Sequence, residues 1–122
     1  MLTHEEEIEL ARASAEKGLK AAHLASIGKW YRNTQRNNYI SRFSQSDTCA
    51  LCIYWKKERV FVYNYCRECV MYDGLVCCEE WRKAAVKGTT EAALTLLDKL
   101  ALTYVEKYGE TITVGPYTYY LG

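Results

Sequence analysis

The fold turns on one stretch: Cys49-Ala-Leu-Cys-Ile-Tyr-Trp-Lys-Lys-Glu-Arg-Val-Phe-Val-Tyr-Asn-Tyr-Cys-Arg-Glu-Cys69. It contains two Cys-x-x-Cys pairs, Cys49/Cys52 and Cys66/Cys69, separated by 13 residues. A Cys-x-x-Cys turn places two sulfurs on one side of a tight backbone loop. Two such turns can converge on a tetrahedral ion with sulfur about 2.3 Å away. Between them, Ile53-Tyr54-Trp55 and Val60 to Tyr65 are rich in β-branched and aromatic residues, which favour strands. Lys56-Lys57-Glu58-Arg59 reads as the turn joining them. The stretch is expected to form a β-hairpin with metal ligands at its feet.

Two further cysteines, Cys77 and Cys78, follow, so all six lie within 30 residues of a 122-residue chain. The N-terminus, Met-Leu-Thr-His-Glu-Glu-Glu, is the opposite of a basic-then-apolar secretion signal. The expected compartment is therefore the cytoplasm, where thiols stay reduced. Metal ligation accounts for paired cysteines there better than three disulfides. Soft thiolates favour zinc, although an iron–sulfur cluster uses the same ligand type. A redox pair usually opens a helix directly after a strand, whereas aromatic or β-branched residues follow both pairs here. The expected ligands are Cys49, Cys52, Cys66 and Cys69, holding a structural Zn²⁺ whose binding energy is folding energy. Cys77 or Cys78 remains open as a substitute for one of them.

Outward from this stretch the chain reads as helix on both sides. Thr3 followed by Glu6 is a capping box, and Ile8, Ala11, Ala15, Leu19 and Ala22 recur at helical spacing. One helix is expected over residues 3–28, extending to about 36, weakened in its middle by Gly18 and ended or bent by Gly28. Beyond the cysteines, Glu79 to Lys87 reads as a short helix stopped by Gly88. A long helix follows, capped by Thr89 or Thr90 and ended by Gly109. Ala93, Leu97, Leu100 and Tyr104 line its apolar face. The tail alternates around Gly115-Pro116, as a hairpin or as one strand pairing with 60–65. The expected class is α+β, a single domain over 1–122. Two packed long helices carry a small zinc-stapled β-hairpin insertion, about 49–78, and a short C-terminal β segment.

The composition excludes several functions. With 16 basic and 15 acidic residues the net charge is +1, so this is no uniformly basic nucleic-acid coat. No apolar run approaches the ~18 residues of a membrane span. The two histidines, His4 and His23, form no His-Glu-x-x-His motif and are expected to face solvent. Lys87-Gly88-Thr89-Thr90 lacks the order of a phosphate loop. Nothing argues for an enzyme, and four thiolates would fill a zinc shell that catalysis needs open.

Charge is nevertheless uneven. Residues 17–59 hold nine bases against two acids. Lys29, Trp30, Arg32, Arg36, Arg42, Lys56, Lys57 and Arg59 mix the cations that grip phosphate with a ring that stacks on bases. This stretch is the candidate surface for a partner, a nucleic acid or a signalling nucleotide. The competing account is a solvated helix face with aromatic packing. Eleven tyrosines add a second candidate contact surface in the run Tyr117 to Tyr120.

A helix ending near Lys29-Trp30 leads to Cys49-Ala-Leu-Cys52 and Cys66-Arg-Glu-Cys69, then to Cys77, Trp81 and a long Leu-rich helix. This layout resembles small metal-binding proteins of unknown function encoded by tailed bacteriophages, over roughly residues 19–107. Two positions depart from that pattern: Val70 stands where proline often follows the second pair, and Cys78-Glu79-Glu80 stands for a Thr-Pro-Tyr segment. The resemblance implies a phage accessory protein in the host cytosol, acting on host machinery or host defence. The functional expectation is a zinc-stabilised, non-enzymatic protein that binds a host protein. The alternative is a nucleic-acid or nucleotide module using residues 17–59.

Overall fold

The structure is a computed structural model and describes residues 1–36, 43, 46–58 and 87–121. Helix α1 spans His4–Glu16 and starts as the sequence predicts. Thr3 Oγ1 accepts from the Glu6 amide at 3.1 Å, and the Glu6 carboxylate accepts from the Thr3 amide at 2.9 Å. The helix does not run on to residue 28. Gly18 adopts φ +118, a conformation that side-chain-bearing residues rarely take, and the chain restarts as α2 over Leu19–Thr34. Gly28, by contrast, lies inside α2 and neither ends nor breaks it.

A short 3-10 turn, Ser46–Thr48, leads into α3 over Ala50–Glu58. This corrects the expected hairpin: Ile53-Tyr54-Trp55 is helix, and Lys56, Lys57 and Glu58 form its last turn rather than a loop. Strand propensity largely reports packing on a half-buried pleated surface. Here the packing surface is helical. Ala50 and Leu51 are buried, Ile53 and Tyr54 pack beside them, and α3 lies against both α1 and α2. The expected strand Val60–Tyr65 and the expected short helix Glu79–Lys87 lie outside the described residues, Lys87 excepted.

Helix α4 spans Thr90–Tyr108. Thr89 Oγ1 accepts from the Ala92 amide at 3.1 Å, and Gly109 closes the helix at φ +66 by donating to the Val105 carbonyl. Its buried face is Ala93, Leu96, Leu97, Leu100, Ala101, Tyr104 and Val105, wider than the predicted stripe. That face meets α2, whose Ala22, Ile27 and Trp30 complete the core. Burying one such leucine is worth about 2 kcal/mol.

Strands β1 (Ile112–Val114) and β2 (Tyr117–Tyr119) pair antiparallel, with Val114 opposite Tyr117. The tail is therefore a hairpin on a two-residue loop, Gly115-Pro116. Gly115 has φ +57, which fits the first loop position of a type II′ turn, and proline's fixed φ suits the second. The hairpin rests on α2 through β1 and on α4 through β2. The class is α+β, with four α-helices and one two-stranded sheet among the described residues. No helix among them is long and apolar enough to cross a membrane.

Candidate thiolate centre

Cys49 stands immediately before α3 and caps it. Its carbonyl accepts the first helical bond, from the Ile53 amide at 3.0 Å, while its Sγ accepts from the Cys52 amide at 3.2 Å. Sulfur thus does what a serine or threonine oxygen does at an N-cap. The consequence is that both members of the first Cys-x-x-Cys pair sit on the opening turn of a nine-residue helix, where backbone N–H groups favour negative charge; for this pair the helix removes the sequence argument against a redox role. Both are thiols. Cys66, Cys69, Cys77 and Cys78 lie outside the described residues.

Beneath this turn lies a buried cation. Lys29, on α2, is only 2% exposed, and its Nζ donates to Oγ1 of Thr48 at 3.2 Å, one residue before Cys49. The ammonium also lies 5.0 Å from the Trp30 ring centroid. Burial pulls the Lys29 pKa below the usual lysine range. The charges opposing that pull are, in order, Cys49, Cys52, Glu7 and Asp47.

Neither carboxylate forms an ion pair with Lys29, and only Glu7 is fully engaged elsewhere. Glu7 accepts from Arg32 twice, at 2.7 Å each, and from Arg36 at 2.9 Å. Asp47 faces His4 Nε2 at 3.5 Å. Among the described residues, no carboxylate pairs with Lys29.

The chain matches no family model, no curated protein and no solved structure in these comparisons.

The residues singled out as a partner surface are dispersed by the fold. Lys29 and Trp30 are buried. Arg32 and Arg36 turn onto Glu7, and Arg36 also stacks 3.8 Å from the Phe43 ring centroid. Lys56 and Lys57 are exposed on the last turn of α3. Arg42 and Arg59 lie outside the described residues. In the terminal run, Tyr117 is half-buried, Tyr119 is buried and donates to Asp98 at 2.6 Å, and Tyr120 is exposed.

His23 corrects a second expectation. Rather than facing solvent it is fully buried between α2 and α4, with Nε2 at 2.8 Å from the Leu100 carbonyl and its ring edge-on to Tyr104. A carbonyl only accepts, so Nε2 carries the proton. Nδ1 is buried without a hydrogen-bond partner among the described residues. His4 is half-buried, its ring edge-on to Phe43.

Sequence reasoning passed over Lys29 as a site residue of the interior and Glu7 as an ion-pair anchor. The available signal was spacing: Ala22, Ser26, Lys29, Trp30 and Asn33 recur at helical period, so Lys29 falls on the buried face of α2.

Proposed function

We propose that this chain is a zinc-stapled α+β domain that acts by binding another protein and catalyses nothing itself. Zn²⁺ would be held by Cys49, Cys52, Cys66 and Cys69 in a structural role. What supports this reading is the first thiol turn: Cys49 and Cys52 share the opening turn of a helix, with the Cys52 amide donating to Cys49 Sγ, where backbone N–H groups favour the thiolate form that a metal needs. Four thiolates would leave zinc no position for substrate, which is why the role is structural.

The resemblance to small tailed-phage proteins supplies the setting: an accessory protein in the host cytosol whose target is a host protein, for example a component of antiviral defence. Exposed Tyr120 and Leu121, following β2, are the kind of apolar surface such binding uses. The nucleic-acid or nucleotide reading keeps less support, since Lys29, Arg32 and Arg36 are drawn inward.

Native mass spectrometry of the chain purified from cells tests the proposal. One zinc per chain, with no other adduct, is the expected result. Extra mass in the nucleotide range would favour the alternative. No metal, with a mass six hydrogens short of the reduced chain, would mean three disulfides and would overturn the zinc reading.

A further inference from the structure

Lys29 is an unusual residue to find inside this molecule. A buried ammonium costs several kcal/mol unless an anion is close. Its one hydrogen bond among the described residues is to a neutral hydroxyl, Thr48 Oγ1. Of the two carboxylates whose charge reaches it, Glu7 is bonded to Arg32 and Arg36, and Asp47 forms no ion pair with it. What α2 brings it to is the start of α3, where Thr48 is followed directly by Cys49. A zinc ion with four thiolates would carry two net negative charges, and at the half-buried Cys49 and Cys52 that charge would be partly cut off from water. Each solves the other's problem.

We propose that Lys29 is the buried counter-cation of the thiolate centre, a positioning residue that sets how tightly the site holds its ion. This rests on the zinc reading above. Through Thr48, the ammonium also fixes the turn that delivers Cys49 to the helix cap. Outer-shell groups of this kind change metal affinity by about 10- to 100-fold when removed.

The test compares the 122-residue wild type with Lys29→Met, Lys29→Gln and Lys29→Arg, each loaded with Zn²⁺ and titrated with a chromophoric chelator. Melting of the metal-free chain is measured in parallel. The expected result is a loss of affinity of about tenfold or more in Lys29→Met and Lys29→Gln. Lys29→Arg, which keeps the charge, stays close to wild type. A purely structural lysine would lower affinity only in step with metal-free melting, whereas a counter-cation lowers affinity beyond what the change in melting accounts for. Affinity within about twofold of wild type in either neutral variant overturns the inference while the zinc reading stands. A wild type that binds no zinc overturns both.

Discussion

Glu7 and Arg32 join the first two helices through a bidentate pair: both guanidinium donors reach the carboxylate at 2.7 Å. Arg36 adds a third bond to the same carboxylate. Glu7 and Arg36 are almost fully buried and Arg32 largely so. Removing one member of a buried pair leaves its partners charged without a counter-ion, which costs about 3–5 kcal/mol. Arg32 keeps some solvent, so the lower end applies. Glu7→Gln should lose about 3 kcal/mol in urea unfolding, whereas Glu9→Gln on the exposed face should change stability by less than about 0.5 kcal/mol. Equal effects from the two would remove the anchor role.

Acid should weaken the fold in two separate windows. His23 has its pKa lowered, chiefly by burial, with the Leu100 bond pulling it up and Lys107 pulling it further down. A histidine held neutral in the folded chain contributes stability above its unfolded value of about 6.5, and that stability is lost as pH falls toward the lower folded value. For Glu7, burial pushes the pKa up but the bonds and charges of Arg32 and Arg36 outweigh it, leaving the carboxyl below the usual range. Its contribution is present above about 4.3 and lost only as pH falls through the folded value. Urea midpoints measured from pH 7.5 downward should fall first below about 6.5. His23→Gln should flatten that first fall and leave the second in place. An unchanged profile in His23→Gln would remove the histidine from the account.

The C-terminal hairpin seats its turn against one ring. A Cβ added at Gly115 would overlap the Tyr31 ring tip, and the glycine's φ of +57 already disfavours any side chain. Gly115→Ala should cost about 1–3 kcal/mol. In a Tyr31→Ala background part of that cost should vanish, leaving the backbone strain alone. Identical costs in both backgrounds would mean that the ring does not constrain the turn.

Local features of this fold were the most legible. The Thr3/Glu6 box and the Gly109 stop each depend on a few adjacent residues and stand where the sequence puts them, while the structure chooses Thr89 over Thr90 as the cap and the hairpin over a single strand for the tail. The reading of Ile53-Tyr54-Trp55 as strand failed because composition outweighed context. Cys49 offers a sulfur cap and Leu51 a buried anchor, and both serve a helix. Gly18 was seen as a weak point, but whether a glycine weakens or breaks a helix depends on how the next segment packs. The burial of His23, Glu7 and Lys29 was the least legible, since their partners lie 19 to 77 residues away in sequence. Spacing singled out the first cysteine pair, and the structure places both members on one helical turn. The second, Cys66/Cys69, lies outside the described residues.

The central claim is the four-thiolate zinc centre, and zinc X-ray absorption on the 122-residue chain tests it most directly. The account predicts one zinc per chain with four sulfur neighbours at about 2.3 Å, and loss of the ion in Cys49→Ser and in Cys66→Ser. A shell containing oxygen or nitrogen in place of one or more sulfurs would contradict it. So would a protein that retains its full metal content after Cys49→Ser.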